Sequence, residues 1–171
     1  MTDEPAGDGG GPDPDAAAHK EGTFLVTAAE EESAVLKDVA DGQVHTLSSN
    51  PGVDVGDAVR GAVAPEPPME VTWGLVDVDE RWSVSIEATD EAPTSLAREI
   101  AADQPEGELT RRERAGTGEI HVLTVPEGDT EQAVQDVLED VEPTRSRAAR
   151  LGVSRVEVRS APGVVVVRYL P

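Results

Sequence analysis

From Thr23 to Ala88 the chain is cut into short runs by turn-forming residues, a punctuation that suits strands and leaves no room for a long helix. Phe24 to Ala28 reads as a strand, Glu30-Glu31-Glu32 as a hairpin tip and Ser33 to Val39 as the returning strand. Asp41-Gly42 is a strong turn signal, and Gln43 to Leu47 reads as a third strand. Asn50-Pro51-Gly52 forms a loop that leads through Val53 to Asp57 into a strand over Ala58 to Ala64. Pro65, Pro67 and Pro68 then forbid regular structure, because proline has no N–H to give to a ladder. Val71 to Asp79 and Trp82 to Ala88 are predicted to form a last hairpin. In it Trp82, Val84 and Ile86 alternate with Ser83, Ser85 and Glu87, the pattern of a half-buried strand. Five or six short strands without a helix predict a small barrel.

The second half changes character. Pro93 to Ser95 is a helix start, with Leu96 and Ile100 expected on one face and Gln104-Pro105 as the stop. Glu108 to Arg114 and Glu119 to Val125 read as a hairpin across Gly116-Thr117-Gly118. Asp129, with Gln132 three residues on, predicts an N-cap related to the capping box. Ala133, Val134, Val137, Leu138 and Val141 follow at helical spacing, and Pro143 breaks or restarts that helix before Gly152 caps it. Val153 to Arg159 alternates as a strand, and Pro162-Gly163 suits a type II turn. Val164 to Val167 is apolar on both faces and therefore reads as a central strand.

These signals predict an α+β protein in three parts. Residues 1–21 form an acidic tail expected to be disordered, 22–90 a small all-β unit and 91–171 an α+β unit. Val55-Gly56-Asp57, with Val59, Gly61 and Val63 beyond it, resembles the turn into a strand of OB-like and S1-like barrels. The first unit is thus expected to be OB-like or SH3-like. In the second unit, borrowing Trp82 to Ala88 as a first strand gives the order strand-helix-strand-strand-helix-strand, which resembles a ferredoxin-like sandwich. Without it, the unit is an αββαββ sandwich.

Charge bounds the environment. The 171 residues hold 35 acids and 14 bases, for a net charge of −21, and only Lys20 and Lys37 among the bases are lysine. Dense like charge destabilises a compact state by self-repulsion. Molar salt shortens the Debye length to about 3 Å and screens it. The composition therefore predicts a halophilic protein. No cysteine is present, so disulfides, thiolate catalysis and cysteine-based zinc sites are excluded. No apolar run approaches a membrane span, and the N-terminus lacks a signal-peptide pattern, so a cytoplasmic location is expected. The segments Gly22-Thr23-Phe24-Leu25-Val26, Val71-Thr72-Trp73-Gly74-Leu75 and Ala148-Ala149-Arg150-Leu151-Gly152 resemble those of an uncharacterised haloarchaeal family, a domain of unknown function. That resemblance implies a salt-adapted archaeal origin and carries no activity.

Few residues suggest chemistry. Gly9-Gly10-Gly11 lacks the preceding strand and following Gly-Lys-Ser/Thr of a phosphate loop. His19, His45 and His121 have no second histidine at ligand spacing. Asp77 and Asp79, two residues apart on one presumed strand face, are the candidates for a metal or acid–base site, with Glu80 beside them. No cofactor is expected.

The charge distribution is more telling. Residues 1–93 carry 21 acids and 4 bases, while residues 94–171 carry 14 acids and 10 bases. From Pro143 to Pro171 there are six arginines and one acid, Glu157, for a net +5. The candidate binding residues are Arg145, Arg147, Arg150, Arg155 and Arg159, with Arg111, Arg112 and Arg114 on the preceding hairpin. Arginine's planar fork suits carboxylate and phosphate. At about 100° per residue, Arg147 and Arg150 lie near one another on a helix and Arg145 points away from both. The arginines either answer acids within the fold, those of the helix Glu131, Asp136, Glu139 and Asp140 or those of the acidic first half, or meet an acidic partner or second copy, or meet nucleic acid. The leading expectation is a non-enzymatic binding or adaptor protein acting through the arginine-bearing face. An RNA- or DNA-associated accessory protein comes second and an uncharacterised enzyme third.

Overall fold

The structure is a computed structural model and describes residues 19–171. Most of the acidic tail, including the glycine run, lies outside the described residues. Among the described residues fourteen elements follow in chain order. They are β1 (Lys20–Ala29), β2 (Ala34–Asp38), β3 (Val44–Leu47), β4 (Asp57–Pro65), β5 (Trp73–Ser83), β6 (Ser85–Ala88), α1 (Ser95–Ala102), β7 (Leu109–Glu113), β8 (Glu119–Thr124), a 3-10 turn (Glu127–Asp129), α2 (Thr130–Glu139), α3 (Val141–Leu151), β9 (Arg155–Ala161) and β10 (Val164–Leu170).

The first five strands close a barrel in the order β1-β2-β3-β5-β4, with β4 returning to β1 and β3 parallel to β5. This is consistent with an OB- or SH3-like unit. The tail boundary drawn at Glu21 falls inside β1, because Lys20 already pairs with Val63 across the ladder and reaches Asp38 and Asp41 with its ammonium. Phe24, Val26, Leu36, Leu47, Val59 and Val63 fill the interior.

The expected hairpin of Val71–Asp79 and Trp82–Ala88 does not form. β5 runs unbroken through Glu80 and Arg81 because β4 pairs with it from Pro65↔Trp73 to Asp57↔Ser83. Neither residue is a turn former, and each is fixed to the neighbouring strand. Arg60 pairs with Glu80, and Arg81 with Asp57 at 3.0 Å. After the buried Val84 the chain passes directly into β6, which joins the second sheet.

That sheet has the order β6-β9-β10-β8-β7, with only the β6–β9 pair parallel. After β6 the succession is αββααββ, because the second helix of the expected αββαββ order is split in two. The ferredoxin-like expectation is corrected: β6 lies at an edge, because β10 occupies the centre between β9 and β8. Val165, Val166 and Val167 are buried there, as a strand covered on both faces requires. α1 covers one face through Ala97, Ile100 and Ala101 against Val122 and Val166. Leu96, expected beside Ile100, is instead 50% exposed. Thr94 caps the helix by accepting from Ala97 N, and the buried stripe runs through Ala97, Ile100 and Ala101.

α2 and α3 lie on the other face, with their sheet contacts concentrated on β6, β9 and β10. The Asp129 side chain makes no cap bond, and Gln132 donates to Asp136 instead. Here the 3-10 turn carries the chain into the helix, and the Thr130 hydroxyl donates to the Glu127 carbonyl. The helix breaks at Asp140, so Pro143 sits in the first turn of α3, where its missing N–H costs nothing. Gly152 ends α3 at φ 73°.

One cluster joins the barrel to this layer. Leu25, Val39 and Ala58 from the barrel pack with Val84, with Ala148 and Ala149 of α3, and with Val153, Val156, Val167 and Tyr169. β1 is therefore buried on both sides, with Phe24 and Val26 inward and Leu25 toward α3. The Trp82 indole N–H donates to the Val153 carbonyl at 3.0 Å, and Lys37 pairs with Glu142 at 3.1 Å.

Candidate functional site

The side chains of alternate residues on β7, β8 and β10 stand on the α2–α3 face of the sheet. The register makes rows of Leu109–Leu123–Val165, Arg111–His121–Val167 and Glu113–Glu119–Tyr169. Because the helices cover mainly the other end of the sheet, a groove of about 840 Å³ remains over these rows. α2 supplies one wall with Ala133, Asp136, Val137 and Asp140. α3 supplies the other with Pro143, Thr144, Arg147 and Arg150.

At the groove floor a chain of polar contacts is built from β8. Glu119 lies 2.6 Å from His121 Nε2 and also accepts from Arg147 Nε. Burial pushes the His121 imidazole below its ordinary value, and this outweighs the pull of Glu119. The ring is thus neutral at pH 7, and its contact with Glu119 is an N–H donated to a carboxylate. Burial works to raise the Glu119 carboxyl, but the bonds from His121 and Arg147 outweigh it and hold the carboxyl low. Burial raises the Tyr169 hydroxyl beside them. The His121 and Tyr169 rings pack with centroids 4.9 Å apart and planes tilted by 47°.

The eight candidate arginines divide sharply. Arg159 is consumed by Glu157 and Glu91 and by the Ala92 carbonyl. Arg145 points away from Arg147 and Arg150, as helix geometry requires. It donates to the Val84 carbonyl and lies against Gly56, joining α3 to the barrel. Arg114 closes the β7–β8 turn by donating to the Thr117 carbonyl at 2.7 Å. Arg147 is held by Glu119 through Nε, and its terminal nitrogens make no hydrogen bond among the described residues. Arg111, Arg112, Arg150 and Arg155 form no ion pair among the described residues. Of these, Arg111 and Arg150 line the groove with Arg147. Arg112 stands on the opposite face of β7, and Arg155 begins β9.

The acids of α2 do not answer these arginines. The intramolecular partners are Glu119, Glu157 and Glu91 instead. His121 and Tyr169 are groove residues that charge and motif reading passed over. The available signal was the alternation in Glu119-Ile120-His121-Val122, which puts Glu119 and His121 on one strand face. Asp77 and Asp79 are exposed on β5, and two bulges in the β4–β5 ladder interrupt the simple alternation that would give them a common face. No group of three metal-ligating side chains exists among the described residues.

Residues 20–160 match the model of a family described as a family of unknown function, DUF5812. The chain belongs to that family. The DUF5812 match takes in β7, β8, α2 and α3, and with them Arg111, Arg147 and Arg150, and ends within β9. No curated protein and no solved structure matches the chain. Among the described residues no helix is long and apolar enough to cross a membrane.

Proposed function

We propose that this protein is a non-enzymatic binding module that takes an acidic segment of a partner protein in the α2–α3 groove, within a salt-rich cytoplasm. The observation carrying this reading is the convergence of Arg111 from β7 with Arg147 and Arg150 from α3 on one groove. Arg111 and Arg150 have no ion-pair partner among the described residues, in a chain of net charge −21. The planar fork of an unpaired guanidinium suits a carboxylate. α2 and its C-terminal cap carry Asp136, Glu139 and Asp140, so the groove is acidic on that side and basic toward β7 and α3. An acidic segment sits toward β7 and α3, with its apolar groups toward Ala133 and Val137.

The OB-like barrel is the observation that favours nucleic acid, since such barrels bind it on the β2–β3 face and the adjoining loops. The charge there opposes it. The β1–β2 tip is Glu30-Glu31-Glu32, and the β4–β5 loop carries Glu66 and Glu70. Lys37 on β2 is already paired with Glu142. Phosphate would meet carboxylates rather than bases.

The test is calorimetric titration with a glutamate-rich peptide and with a single-stranded oligonucleotide, in about 0.2 M and about 2 M KCl. The peptide binds, and the double change Arg111→Gln with Arg150→Gln weakens it by about tenfold or more. Binding of the oligonucleotide alone would replace this reading with the nucleic-acid one.

A further inference from the structure

β7 is the terminal strand of the second sheet and pairs only with β8 among the described residues. Its ladder parity is fixed at both ends. Thr124 N donates to the Glu108 carbonyl, and Arg114 N donates to the Gly118 carbonyl. In an antiparallel pair, residues that exchange hydrogen bonds alternate with residues that do not. Thr110 and Arg112 therefore turn their main-chain groups toward β8. Leu109, Arg111 and Glu113 turn theirs outward, with no partner among the described residues. The side chains of Leu109 and Arg111 line the groove at the same time, and Leu109 is 41% exposed.

An open edge invites another strand, and proteins commonly guard it with charge. Here the guard is net positive. β7 and the residue after it carry Arg111, Arg112 and Arg114 against Glu113. These arginines repel the β7 edge of a second copy and any basic strand, and they attract an acidic one. Building on the groove reading, we propose that the partner segment docks by strand addition to β7. Its main chain hydrogen-bonds to Leu109, Arg111 and Glu113, and consecutive acids meet Arg111 on the groove face and Arg112 on the other. An apolar residue of the segment covers Leu109. This mode takes affinity from main-chain bonds and selectivity from alternate side chains.

The probe is an end-blocked hexapeptide, Val-Thr-Glu-Glu-Thr-Val, which reads nearly the same in either direction. Its controls are the Lys-Lys version and an acidic version N-methylated at alternate residues, which keeps the charge and removes main-chain donors. The acidic peptide is expected to slow hydrogen exchange at the Leu109, Arg111 and Glu113 amides by about tenfold or more. The N-methylated and lysine peptides are expected to bind at least about tenfold more weakly. Equal binding of the N-methylated peptide, with β7 exchange unchanged but binding still sensitive to Arg150→Gln, overturns strand addition and leaves the groove reading standing. Slowed β7 exchange with no effect of Arg150→Gln keeps strand addition and removes the groove. No saturable binding of the acidic peptide at either salt overturns both.

Discussion

At the scale of single residues, two buried positions set testable energetics. His45 is fully buried in the barrel between Phe24 and Trp73, with ring centroids 5.7 and 4.4 Å away. Its Nε2 lies 3.3 Å from the Lys20 ammonium, and its Nδ1 has no hydrogen-bond partner among the described residues. Burial, then Lys20, pushes its pKa down, and burial does the same to His121. A histidine with a depressed folded pKa contributes stability that is present above its unfolded value, about 6.5, and lost as pH falls through the lower folded one. Denaturation midpoints are expected to drop as pH falls below about 6.5, and His45→Gln is expected to flatten part of that slope. An unchanged slope in the variant would show that His45 is not its source. Gly56 is the second position. It has φ 92°, and an added Cβ would stand 2.7 Å from Arg145 Cζ. Gly56→Ala is expected to cost more than the roughly 1–2 kcal/mol of left-handed backbone alone. Combining it with Arg145→Ala should recover the excess in a double-mutant cycle, and strict additivity would deny the contact.

At the scale of elements, α3 is the piece on which the architecture turns. Ala148 and Ala149 are fully buried and let the helix lie close to β1. Ala149→Leu is expected to destabilise by about 1–3 kcal/mol through overpacking, read as a shift in denaturant midpoint at unchanged slope. The elements differ in how far the sequence reveals them. Asp41-Gly42, the prolines after Pro65, Gly152 and Pro162-Gly163 mark real boundaries because each acts locally through backbone geometry. Val164 to Val167 reveals a central strand because both its faces are apolar. β5 is misread because Trp82 to Ala88 alternates well in isolation, whereas what extends the strand through Glu80 and Arg81 is the long partner β4. The groove is legible only in part. Helical spacing separates Arg145 from Arg147 and Arg150, but the arrival of Arg111 beside them depends on sheet register. Nor does the local pattern show that Glu119, Glu91 and Glu157 answer Arg147 and Arg159, since those acids come from other elements.

At the scale of the whole molecule, the cluster joining Leu25, Val39 and Ala58 to Ala148, Ala149 and Val156 predicts one unfolding transition. Calorimetric and van't Hoff enthalpies are expected to agree, and two resolved transitions would show that barrel and sandwich melt apart. Stability is also expected to rise between about 0.2 M and 2 M KCl as self-repulsion is screened. Equal stability at the two salts would count against salt adaptation. The direct passage from β5 through Val84 into β6 has a historical consequence. A module that recombination can move between genes needs a seam, a stretch of chain that can be cut without exposing a core. Here the residue at the seam is 3% exposed and packs with both halves. A cut there opens a shared core, and a barrel spliced into another gene without α3 would carry Leu25, Val39 and Ala58 as bare apolar surface.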